Sequence, residues 1–165
     1  IYLLQGNRIA YIEQLWKLVL EHEPGNLELY RELKKQYTAD EWLVKREEIY
    51  GKLPAYAHVE RLYKEEKLYD RLLVYVLNSP GLYALQEYEK VLKKDYPEQI
   101  LNKYKDEVSK MAVHTSDRKN YAHLVSLLRK MQQMKGGSKL VEQIVAEWKI
   151  KYKNRPAMMD ELRKL

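Results

Sequence analysis

The chain has 165 residues, with 30 Lys and Arg against 24 Asp and Glu, fifteen Tyr, no Phe and no Cys. A chain of this length buries roughly two thirds of its unfolded surface, enough for a real core, and without cysteine these residues hold no disulfide, thiolate metal site or cysteine nucleophile. No apolar run approaches the roughly 18 residues of a membrane helix, so the expectation is a cytoplasmic protein with no membrane partner; a start at Ile1 rather than Met, with no signal-peptide layout in Ile1-Tyr2-Leu3-Leu4, reads as a piece of a longer protein.

In chain order the apolar residues recur at helical spacing. Ile9, Ile12, Trp16, Val19 and Leu20 mark a first helix, and after Pro24-Gly25 a short second one carries Leu29, Leu33 and Tyr37. Thr38 with Glu41 three residues on forms a capping-box pattern ahead of Trp42 and Ile49. Val59, Leu62 and Tyr63 follow, then Tyr69, Leu72, Leu73, Val76 and Leu77, with Lys64-Glu65-Glu66-Lys67 between them as a solvated corner. Leu82, Leu85, Tyr88, Val91 and Leu92 give the next helix, and Pro97 opens a longer one with Leu101, Tyr104, Val108 and Met111.

Ser116 or Asp117 is placed to cap a helix with Tyr121, Leu124, Val125, Leu128 and Met131. Gly136-Gly137 ends that segment, and Ser138 starts a helix with Val141, Ile144, Val145, Trp148 and Tyr152. Asn154, before Arg155-Pro156, is positioned to cap a last short helix with Met159 and Leu162. Nothing reads as a strand. About ten helices with short connections imply antiparallel neighbours, and the fold class is all-α: one domain, 1–165, built as a short tetratricopeptide-like solenoid of helix pairs or as an irregular bundle. The solenoid has one specific support, the echo of Tyr56-Ala57-His58-Val59 in Tyr121-Ala122-His123-Leu124, a separation of about two 33-residue repeats. Trp16, Trp42, Leu72, Leu124, Val145 and Trp148 are the expected core.

Charge divides the chain. Through Pro80 there are 12 basic and 13 acidic residues; from Gly81 on there are 18 and 11, so the excess belongs to the second half. Lys130, Lys135, Lys139, Lys149, Lys151, Lys153 and Arg155 are the candidate contacts for an acidic partner or for phosphates. The alternative is a solvated surface with cations set at helix C-termini.

Tests for chemistry yield no candidate. His22, His58, His114 and His123 are dispersed and lack a third ligand at metal spacing. No strand leads to a Gly-x-Ser-x-Gly turn. Gly136-Gly137-Ser138 with Lys139 reads as a turn rather than a phosphate loop, and Glu47-Glu48 and Glu65-Glu66 read as solvated charges.

The order of Tyr96-Pro97-Glu98, the long Tyr104-bearing helix, Ser116-Asp117-Arg118-Lys119-Asn120-Tyr121, the leucine-rich helix to Met134 and Gly136-Gly137, Trp148 to Tyr152, Arg155-Pro156-Ala157 and Asp160-Glu161-Leu162 resembles the C-terminal helical region of bacterial SWIM zinc finger proteins. That family's Cys-x-Cys and Cys-x-His ligands are not present in this chain, so the resemblance implies no zinc here; it implies a helical scaffold or interaction module. The expectation is therefore a non-catalytic module without cofactor that binds a protein, with nucleic-acid binding through the basic second half as the alternative. Partner identity and oligomeric state are left open.

Overall fold

The computed structural model describes residues 5–165, with side chains from Asn7 onward; residues 1–4, weighed above as a possible leader, lie outside the described residues. The chain is all-α, with ten α-helices and no strand among the described residues. They are α1 (Gln5–Lys17), α2 (Leu27–Lys34), α3 (Ala39–Lys52), α4 (Glu60–Glu65), α5 (Tyr69–Asn78), α6 (Tyr83–Leu92), α7 (Pro97–His114), α8 (Arg118–Gln132), α9 (Gly137–Lys151) and α10 (Pro156–Leu162). The described residues group into two compact units, one ending at Leu72 and the other starting at Leu73.

In the first unit α1 runs on into a π turn, Leu18–His22, that buries Val19. Gly25 ends the segment for two reasons. Its φ is +72°, and a Cβ there would lie 2.4 Å from the Ala57 carbonyl oxygen. Asn26 then caps α2, its side chain accepting from the Leu29 N–H at 3.1 Å. The capping box at α3 closes as expected: the Glu41 N–H donates to Thr38 Oγ1 at 3.3 Å, and the Thr38 N–H donates to Glu41 Oε2 at 2.9 Å. Leu15, Val19, Tyr30, Leu33, Trp42, Ile49 and Leu62 form the core. Trp16 only packs against its edge, because its indole N–H reaches out to the Tyr37 hydroxyl at 2.8 Å.

In the second unit α8 is the central helix, packed against α7, α9 and α10, while α6 packs on α7. Its buried residues Tyr121, Leu124, Val125, Leu127, Leu128 and Met131 spread over an arc of roughly 160° at 100° per residue, wider than the stripe of a one-sided helix. Asp117 rather than Ser116 caps it, accepting from the Asn120 N–H at 2.9 Å. Two expected helix starts are corrected. Gly136, at φ +76°, precedes α9 in place of Ser138, and Arg155 precedes α10 in place of Asn154, with Pro156 supplying the pre-set first turn. Leu72, Leu124 and Trp148 are buried like Trp42, whereas Val145 is half-buried and lines a surface cavity.

The four-residue echo is not a structural repeat. Ala55–Ala57 form a 3₁₀ turn that ends on His58 at φ 55°, while Tyr121 to Leu124 lie inside α8. Tyr56 is 73% exposed and Tyr121 4%.

Candidate functional site

Three polar constellations stand out, and burial tells them apart. In the first unit the Glu66 carboxylate lies under the surface just past α4. Its Oε1 accepts from the Trp42 indole N–H at 2.7 Å and from the Tyr30 hydroxyl at 3.1 Å, and Lys34 Nζ reaches Oε2 at 3.1 Å. Tyr30 and Tyr50 share a further hydrogen bond at 2.9 Å. Burial pushes the Glu66 carboxyl up, but hydrogen bonds from Trp42, Lys34 and Tyr30 and the Lys34 charge outweigh it and hold it below the ordinary carboxylate range. Burial and the Glu66 charge raise both hydroxyls, Tyr50 to about 12. Glu66 is thus an anion at neutral pH that satisfies buried donors. Reading Glu65-Glu66 as solvated is corrected on this point: Glu65 takes Arg31 in a two-pronged pair at 2.6 and 2.9 Å, and Glu66 is interior.

His58 and Glu60 form a second, smaller pair, Nδ1 to Oε1 at 3.1 Å, with the other Glu60 oxygen buried and unpartnered. Among the described residues no group of three or more His, Asp or Glu is placed to hold a metal ion.

The third lies in the second unit, where the ends of α6 and α8 flank the first turn of α7. Pro97 and Ile100 of α7 and Met134 give a cavity of about 600 Å³ an apolar lining; Lys93 and Lys94 stand on the α6 side, Lys130 and Lys135 on the α8 side. Glu89 is the one acid in the lining, and Lys130 Nζ meets its Oε2 at 2.7 Å. Beneath them Tyr104, wholly buried, donates to the same oxygen at 3.3 Å and lies with its ring centroid 5.5 Å from Lys130 Nζ. Burial draws the Lys130 ammonium down, but Glu89 and Tyr104 more than restore it, and burial together with Glu89 keeps the Tyr104 hydroxyl protonated. The triad is a fixed ion pair over a neutral ring.

The seven cations expected to act together are dispersed. Lys130 and Lys135 line this cavity and Lys139 follows on the first turn of α9. Lys149, Lys151 and Lys153 sit at the far end of α9, about 15 Å or more along the axis at 1.5 Å per residue. Arg155 is engaged within the fold: its guanidinium donates to the Ala112 carbonyl at 2.6 Å, closing the end of α7, and stacks 4.4 Å from the Tyr152 ring centroid. Reading the sequence missed Glu89 and Ile100 as parts of one site, since their meeting depends on how α6, α7 and α8 pack.

No helix among the described residues is long and apolar enough to cross a membrane. Comparison with protein-family models, curated proteins and solved structures returned no match. The class stated here is therefore that of the fold alone, an all-α bundle with antiparallel helix pairs.

Proposed function

We propose that this chain is a non-catalytic module that binds a protein partner through the cavity framed by α6, α7 and α8. One observation carries the reading: an apolar floor between two pairs of lysines, whose one carboxylate is already neutralised by Lys130 at 2.7 Å. Such a lining matches the apolar centre and polar rim of a protein interface. We keep the tetratricopeptide-like helix-pair scaffold within the proposal, supported by the successive packing of α6, α7, α8 and α9. Kinship with the SWIM zinc finger proteins belongs to it too, supported by the motifs of residues 96–165.

A photoreactive amino acid at Gln133, beside the cavity, tests the reading in extract of cells that make the protein. A discrete adduct competed away by unlabelled chain, and not formed from exposed Asp106, is expected. Equal labelling from both positions, or none, contradicts it. The charge excess of the second half favours nucleic acid as the alternative, but the separation of Lys149, Lys151 and Lys153 from the cavity lysines argues for solvation of that end. Salt-sensitive binding of DNA or RNA, lost on reversing those three charges, would put the alternative first.

A further inference from the structure

We infer that the cavity takes an acidic peptide segment with an apolar anchor side chain flanked on both sides by carboxylates; this rests on the reading of the chain as a protein-binding module. The charge is unbalanced in one direction. Glu89 is compensated by Lys130, while Lys93, Lys94 and Lys135 make no ion pair among the described residues, which leaves three free ammonium groups around one small cavity. Their placement sets the pattern of the ligand. Lys93 and Lys94 end α6 and Lys135 follows α8, so the cations stand on two sides of a floor supplied by the start of α7. A purely anionic ligand would leave that floor wet, and a purely apolar one would leave the cations without partners.

A nucleic acid fits less well. No aromatic side chain is in the lining, and Tyr104 is wholly buried beneath Lys130, so the lining offers no platform for stacking a base. A volume of about 600 Å³ is of the size that takes a small ligand or a few side chains.

The test is fluorescence anisotropy on the full chain with a short labelled peptide of glutamates around a central Leu-Met pair. Comparison probes are the same peptide with the pair replaced by Ala-Ala, the same pair flanked by lysines, and a single-stranded oligonucleotide. The protein variants are the triple Lys93→Gln, Lys94→Gln, Lys135→Gln and the control pair Lys149→Gln, Lys153→Gln. None of these lysines is ion-paired within the described chain, and a thermal melt checks that each variant is folded. The inference predicts that the acidic anchored peptide binds best, that the triple variant loses affinity about tenfold or more, and that the control pair loses none. Equal or better binding of the lysine-flanked or Ala-Ala probe overturns the acidic-anchor class, as does absence of peptide binding at low salt; a specific adduct from Gln133 in either case would leave the protein-binding reading standing. Preference for the oligonucleotide, abolished by the control pair, overturns both.

Discussion

Glu66 gathers the indole of Trp42, the hydroxyl of Tyr30 and the ammonium of Lys34 onto one buried carboxylate. Removing the charge leaves buried donors and two cations, Lys34 and Arg46, short of their acceptor, so Glu66→Gln should cost about 2 kcal/mol and Glu66→Ala about 3–5 kcal/mol, read from urea melts followed by tryptophan fluorescence. The sign of the pH effect follows from a folded pKa held below the unfolded value of about 4.3. The contribution is complete above that value and fades as pH falls through the folded one. Wild type should therefore lose stability steeply on the acid side, and Glu66→Gln should lose less; identical acid limbs would remove Glu66 from this role. Tyr30→Phe, which deletes the hydroxyl shared with Tyr50 and Glu66, should cost about 1 kcal/mol in the same melts. None of this was readable from Glu65-Glu66 as a sequence. Adjacent residues on a helix point apart, and which of the two turns inward is decided by the packing of α2 and α3, not by local spacing.

At the scale of elements, two adjacent glycines do different work. Gly136 needs its left-handed backbone, φ +76°, but a side chain there would enter open space; Gly137 has an ordinary φ, yet a Cβ would overlap the Met131 carbonyl oxygen. Gly136→Ala should thus cost about 1–2 kcal/mol of conformational strain, and Gly137→Ala more, since α8 and α9 must part to admit the methyl. Calorimetric melting temperatures in the opposite order would contradict that assignment. Arg155→Ala should remove about 2 kcal/mol by freeing the Ala112 and Val113 carbonyls at the end of α7, and circular dichroism melts should show it. The helix punctuation was legible because Pro97, Thr38 and the glycine pair act through local backbone rules. The helix starts misplaced at Ser138 and Asn154 fail for a physical reason: α9 and α10 start on backbone geometry, a left-handed glycine and a proline, which leaves a nearby hydroxyl or amide without a capping role. The echo at Tyr56 and Tyr121 misleads similarly, because Pro54 and the left-handed His58 hold one copy in a 3₁₀ turn.

For the molecule as a whole, the charge asymmetry was legible and its meaning was not. The sequence placed seven cations in one basic half, but α9 carries Lys139 and Lys149 to its opposite ends, and Arg155 is engaged with the carbonyls of α7. Lys93 and Lys94, at the end of α6, join Lys135 and the Lys130–Glu89 pair around an apolar floor. Trp148 of α9 is buried with its ring against that of Tyr152, and Trp148→Ala should cost about 3–5 kcal/mol; an unchanged melting transition would contradict that. The most direct test of the central claim is a two-dimensional amide NMR titration of the chain with the acidic, Leu-Met-anchored peptide. The account predicts saturable shifts confined to the end of α6, the first turn of α7 and the residues from Lys130 to Lys135. Saturable shifts centred on Lys149 to Lys153, or no shifts at all, would contradict it.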